Sequence, residues 1–197
     1  MDLYPRPPSG AVVLCADELG PVVPRAFPPA SGWSPDGHRI KAPLNYSRGL
    51  EKTWVYGSLR IADGTAVTMT APSRSSHYYR RFLATIEAAN PGDGLIFVIT
   101  DNLFSHNSYA TREWLAGHPW IRQVFIPVAA CWLNLQEAWW RIFRRHAIAG
   151  QCFLGPDDID YATRVATAQL NAHAKPWVWG RPPPPPWQLR RRFTYTL

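Results

Sequence analysis

The chain has 197 residues, 46% of them apolar and 13% aromatic, enough for one domain with a substantial core and too few for two. Its formal charge is +7, and 18 of its 21 basic residues are Arg, the side chain that forks onto phosphate oxygens and stacks on bases; a GC-rich coding sequence would give the same enrichment, so composition alone leaves a polyanionic partner open. No run is apolar for long enough to span a membrane, MDLYPRPPSG lacks the apolar stretch of a signal peptide, and three Cys without CxxC spacing exclude a disulfide framework and a zinc site, which together point to the cytoplasm.

AVVLCA (residues 11–16) reads as a buried strand ended by Asp17 and Glu18. A Pro-, Gly- and Ser-rich excursion over about 20–37 leads to a second strand near Ile40. TWVYGSLRIA and TAVTMT flank Asp63-Gly64 and predict a hairpin. Tyr79, Phe82, Leu83 and Ile86 have helical spacing within 78–89, and Pro91-Gly92 stops that helix. LIFVIT (95–100) is a second fully apolar strand ended by Asp101. A helix over 107–116, a strand at IRQVFI, a long helix over 131–149 and a last helix from Pro156 to Ala172 follow. The three Cys lie in or beside apolar segments and read as buried small hydrophobes. Pro182 to Pro186 and Arg190 to Arg192 form a stiff, basic tail. The order predicts an α/β fold with a central mixed sheet flanked by helices.

Asp17 and Asp101 each follow a buried strand, and Glu137 lies near the start of the long helix, with 35 residues between it and Asp101. Acids beyond strand ends sit where open α/β sheets gather ligand groups, and three carboxylates suit Mg²⁺, which prefers oxygen donors. Each acid also has a structural reading: Asp17 as a turn residue, Asp101 as a helix cap, Glu137 as half of an exposed pair with Arg141. On the long helix, Asn134, Glu137, Arg141 and Arg144 share one polar face, while Trp132, Leu135, Trp139 and Ile142 make a stripe that predicts core packing.

The phrases TDNLFSH (100–106), PVAACWLNLQE (127–137) and NAHAKPWVW (171–179), with Asp17-Glu18 upstream, resemble the DDE transposases of bacterial insertion sequences related to Tc/mariner elements. The resemblance covers about residues 11–180, and its specificity lies in the three phrases occurring in order at the family's spacing. It implies an RNase H-like catalytic domain over 1–180; the Pro/Arg-rich residues 181–197, read from composition, are expected to be a flexible tail around their stiff proline run. It further implies two Mg²⁺ or Mn²⁺ ions held by Asp17, Asp101 and Glu137, with Asn102 and His106 in support; for His106 a helix-capping role stays open. The implied activity is DNA strand cleavage and strand transfer in cut-and-paste transposition. The partners are transposon inverted-repeat ends and target DNA, bound by a homodimer. Arg141 and Arg144, on the face of Glu137, are expected to contact DNA phosphates; Arg80 and Arg81 are expected to be a solvated face. Family members usually carry an N-terminal helix-turn-helix region, for which the sixteen residues before Asp17 leave no room. That region is expected from a companion polypeptide, or the chain is a truncated, inactive DNA-binding remnant; an RNase H-like nuclease without strand transfer is the other alternative.

Overall fold

A computed structural model of the chain describes residues 3–24, 32–33, 39–40 and 51–178. In chain order the elements are β1 (Val12–Val22), β2 (Gly32–Trp33), β3 (Arg39–Ile40), β4 (Thr53–Arg60), β5 (Ala66–Ala71), α1 (Ser76–Ala89), β6 (Ile96–Thr100), α2 (Tyr109–Ala116), β7 (Ile121–Phe125), α3 (Leu135–Ala147) and α4 (Pro156–Ala172). Five strands form one mixed sheet in the order β5-β4-β1-β6-β7, and β2 pairs with β3 separately. The central strand, β1, is antiparallel to β4 and parallel to β6. β6 is in turn parallel to β7, and β4 and β5 make the expected hairpin.

Two segments depart from the sequence expectation. β1 does not stop at Asp17, because β4 keeps pairing with it: Asp17 lies opposite Gly57, Glu18 opposite Tyr56 and Leu19 opposite Val55. Both acids are therefore within a strand, with the Glu18 N–H turned to the Asp17 side chain and not to the ladder. The long helix begins at Leu135, four residues later than expected, because Asn134 caps it: its side-chain Oδ1 accepts the Gln136 N–H at 3.1 Å. A 3-10 turn over Cys131–Leu133 precedes it. That shift takes Trp132 out of the helix and leaves it 69% exposed, with Ile142 also exposed. The buried face of α3 is instead Gln136, Trp139, Trp140, Phe143 and Ala147. Cys15 is buried as expected, whereas Cys131 and Cys152 are exposed, since neither the 3-10 turn nor the connection before α4 is covered. The tail, the proposed boundary near 180 and most of the Pro-rich excursion lie outside the described residues.

Alternation along the strands splits the core into two layers. Leu14, Ala16, Tyr56 and Val98 face α1, which covers them with Tyr79, Phe82, Leu83 and Ile86. Leu19, Val55 and Leu59 face α3 and α4, meeting Trp139, Trp140, Phe143 and Ala166. Among the described residues no helix is long and apolar enough to cross a membrane.

The phrase 171–177 closes the hairpin end of the sheet. The Asn171 side-chain amide donates to the Ala66 carbonyl and accepts the Ala66 N–H, both at 2.8 Å, so it pairs with edge strand β5 as a neighbouring strand would. Trp177 N–H donates to the Ile61 carbonyl at 2.9 Å. Between these contacts the Lys175 carbonyl lies against Gly64, which has φ +77° and would drive a Cβ onto that oxygen. Gly64→Ala combines left-handed strain with a backbone collision, and it should lower unfolding stability by at least about 2 kcal/mol. An unchanged denaturant midpoint would show that the 171–177 segment is not held against the hairpin.

Candidate active site at the end of the β1–β6 pair

In the parallel register Cys15 lies beside Ile99. Asp17 and Asp101 are each two positions further along, so neighbouring strands deliver both acids to the same end of the sheet. Asp17 shares the face of Leu19 and Gly57, the side covered by α3.

Two features bring α3 close enough for Glu137 to reach the same point. The first is Asn134, buried at 3% exposure, whose side-chain Nδ2 donates to the carbonyl of Ala16 at 2.9 Å. One side chain thus caps α3 and ties its first turn to the residue preceding Asp17. From the other side, Tyr4 donates its hydroxyl to the Leu133 carbonyl at 2.6 Å. The second feature is Gly57, directly across from Asp17: a Cβ there would collide with the Trp140 ring and lie 2.8 Å from Gln136 Nε2. The missing side chain lets the helix lie flat on the strand pair.

Electrostatics register the result. Burial raises the pKa of the Asp17 carboxyl to about 8, helped by the negative charges of Glu137, Glu18 and Asp101, while the Glu18 N–H donated to its Oδ1 at 2.8 Å works in the opposite direction. Near neutral pH the buried Asp17 carboxyl therefore favours its protonated form.

His106 supplies part of that positive charge from the opposite face. Its imidazole is fully buried and packs 4.1 Å, centroid to centroid, from Tyr79. Nε2 donates to Glu18 Oε1 at 2.8 Å, and Nδ1 lies 2.9 Å from both Asp101 Oδ1 and Thr100 Oγ1. Burial opposes the imidazolium, but hydrogen bonds to Asp101 and Glu18 and their charges outweigh it and raise the pKa to about 9. The His106 hydrogen bond in turn holds Asp101 below the ordinary carboxylate range, against the opposing effect of burial. His106 is thus a buried clamp between two acids, not a helix cap; Ser108 caps α2.

The other sequence candidates fall elsewhere. Asn102 is exposed and donates to the Ile126 carbonyl at 2.6 Å, fastening the loop after Asp101 to the end of β7. Arg141 and Arg144 are exposed on α3, and among the described residues neither forms an ion pair with Glu137. Arg80 bonds its own helix at Ser76, and Arg81 lies over Tyr78, as a solvated face would. Sequence reasoning missed the parts of Glu18, Gly57 and Asn134. Two of them left signals: a Gly inside an alternating strand, and an Asn three residues before a Glu at a helix start.

Among the described residues no three acid, His or Cys side chains converge, as they stand, into a ready-made metal site. The donor chemistry nevertheless suits a hard divalent cation, because Asp17, Asp101 and Glu137 offer only carboxylate oxygens. The hydrogen bonds to Asp17 and Asp101 also engage Oδ1 in each case, orienting the group as outer partners of a metal ligand do.

The family model of the DDE superfamily endonucleases matches residues 12–159. No curated protein sequence matches the chain. Among solved structures, the Mos1 transposase paired-end complex with the left transposon end aligns at a TM-score of 0.58 and 14% identity, covering 86% of this chain and 55% of that one. The Mos1 strand transfer complex aligns at 0.52 and 14%, covering 87% and 53%. The catalytic core domain of BIV integrase aligns at 0.50 and 14%, covering 81% and 82%. These likenesses establish the RNase H-like fold, and the chain spans about half the length of the Mos1 chains.

The two perturbed groups act on stability in the same direction. His106 has a folded pKa above its unfolded one, so its contribution is complete below about 6.5 and is lost as pH rises through about 9. Asp17 binds a proton in the folded state that the unfolded chain has released, so stability also falls as pH climbs from about 4 towards 8. Without divalent ions, unfolding stability should decline between neutrality and pH 9.5. His106→Gln should remove most of the upper part of that decline while lowering stability at pH 7 by up to about 3 kcal/mol. A flat wild-type profile across that interval would refute the clamp.

A second expectation concerns Gln136, fully buried with neither amide atom hydrogen-bonded to a described residue. Gln136→Met should be neutral or stabilising by about 1 kcal/mol in denaturant unfolding, since it removes two unmet groups at similar volume; a loss of stability would mean that the amide is satisfied.

Proposed function

The chain belongs to the DDE superfamily endonucleases, and we propose that it is the catalytic domain of a transposase, cutting DNA strands at transposon ends and joining them to target DNA. The observation that carries this reading is that the parallel β1–β6 pair takes Asp17 and Asp101 to one end of the sheet, where Asn134 ties the start of α3, and with it Glu137, to the residue before Asp17. Structural neighbours that are transposase complexes, one with a transposon end, support DNA as the substrate. In this reading Asp17, Asp101 and Glu137 hold two Mg²⁺ or Mn²⁺ ions. When bound, such ions activate the attacking oxygen and stabilise the leaving one.

The remaining steps belong to the chain's own residues. His106 and the Leu103 N–H fix the Asp101 carboxylate by its Oδ1. Asn134 fixes Glu137 relative to Asp17 through the Ala16 carbonyl. Asp17 gives up its proton when positive charge arrives, so loading should release protons and grow stronger with pH. Arg141 and Arg144 lie on exposed α3 beyond Glu137 and take backbone phosphates, with affinity that falls steeply with salt and shows little sequence preference. Recognition of inverted repeats comes from a helix-turn-helix module, in the same or a separate polypeptide, and the active species is a homodimer on DNA. In this reading the element is a bacterial insertion sequence, which the resemblance of the three phrases supports.

Mg²⁺-dependent nicking of a transposon-end duplex tests the reading. Asp101→Asn and Glu137→Gln keep shape but remove a charge, and each should reduce nicking by at least about a hundredfold while metal-free DNA binding persists. Joining of a pre-cut end bearing a free 3′-hydroxyl separates a transposase from a plain nuclease. Nicking by Glu137→Gln at the wild-type rate would remove Glu137 from the site.

A further inference from the structure

Arg74 lies in the connection between β5 and α1, and that connection is held from below by one hydroxyl. Tyr56 Oη donates to the Ser73 carbonyl at 3.2 Å and accepts the Ser75 N–H at 3.2 Å, so both neighbours of Arg74 are fixed to the same buried ring. Tyr56 stands directly opposite Glu18 in the β1–β4 ladder, one residue from Asp17. The loop is therefore registered to the strand pair that carries the first acid.

The Arg74 side chain is exposed, with its guanidinium carbon 4.7 Å above the ring centre of Trp54, two residues before Tyr56 on the same face of β4. Its charge reaches the acid site: after the larger effect of His106 it helps lower Asp101, and it partly opposes the burial that raises Tyr56. Among the described residues it nevertheless makes no ion pair. A long cation beside a cluster of carboxylates would ordinarily fold onto one of them. Here its guanidinium carbon stays over the Trp54 indole instead, a cation–ring contact that leaves N–H groups available for an oxyanion.

We propose that Arg74, shelved on Trp54, binds a backbone phosphate of the DNA strand entering the acid site from the α1 side of the sheet. The proposal rests on the nucleic-acid reading above and adds a second anchoring side. Arg141 and Arg144 lie on α3, whereas Arg74 belongs to the face of Glu18 and His106. A phosphate approaching several carboxylates is repelled, and a cation fixed at the rim offsets that repulsion before any ion is bound.

The test uses the full chain and a short fluorescent duplex, titrated across a salt series in EDTA, together with Mg²⁺-dependent nicking of the same duplex. Arg74→Gln should weaken binding about tenfold at moderate salt and reduce the steepness of the log–log salt dependence by about one. Arg74→Lys should keep the salt slope, because the charge remains, but bind less tightly than wild type, because the fork is lost. Arg122→Gln, which removes an exposed charge from β7, should bind within about twofold of wild type. Thermal melts of the three variants identify any that fail to fold, and Arg74→Lys then carries the comparison. Matching affinity and slope for Arg74→Gln and Arg122→Gln would overturn the proposal. So would an Arg74→Gln variant altered only in its thermal shift with Mn²⁺, which would make Arg74 merely a neighbour that tunes the acids. Altered DNA binding by Arg74→Gln, together with a wild-type chain that never nicks, would uphold the contact while sinking the catalytic reading. Normal nicking with an unaltered Arg74→Gln would do the reverse.

Discussion

Carboxylates repel, and this fold brings four of them to one end of a sheet. Everything near that end can be understood as a way of tolerating the repulsion without quenching the charge. Burial and neighbouring charges favour the protonated form of Asp17, His106 bridges Glu18 and Asp101 with its pKa raised by both, and backbone N–H groups of Glu18 and Leu103 donate to the two aspartates. None of these partners is an Arg in bidentate contact, which would neutralise an acid permanently. In the proposed reading, a site stabilised in this way can exchange that stabilisation for a metal's.

Two small residues set the geometry at this end of the sheet. Gly57 lets Trp140 rest on the strand beside Asp17, and Asn134 locks the start of α3 to Ala16. The tryptophan–phenylalanine cluster on α3, with ring centres 5.1–5.3 Å apart, gives the helix its adhesion to the sheet. Adhesion is not placement, because an apolar face tolerates sliding. The directional Asn134 hydrogen bond and the steric demand at Gly57 select one position, and it is the position that brings Glu137 to Asp17.

Much of the fold was legible because strand and helix periodicities are strong over residues 53–125. The parallel β1–β6 pair follows from two fully apolar runs separated by a hairpin and a helix. The boundaries at the site were less legible for a physical reason. An acid after an apolar run looks like a strand end, but the β4 partner extends the ladder through Asp17 and Glu18, and pairing is not local information. The start of α3 was misplaced because CWL has apolar spacing compatible with a helix, whereas the N-cap at Asn134 decides the matter. Moving the boundary moved the buried stripe, and with it Trp132 from core to surface. His106 was visible as a residue and invisible as a bridge, since its partners lie 88 positions away at Glu18 and five away at Asp101.

The same two-residue period explains why the acids at the first position come as a pair. In an extended strand adjacent side chains point to opposite faces, so Asp17 and Glu18 cannot serve one face together. Asp17 emerges on the α3 side with Gly57 opposite; Glu18 emerges on the α1 side with Tyr56 opposite. Asp17 can then meet Glu137, and Glu18 can hold His106, whose far nitrogen reaches round the end of β6 to Asp101. The sheet separates the groups that would contact a reacting centre from those that orient them. His106 connects the two sides at the one place where β6 ends and the backbone no longer stands between them.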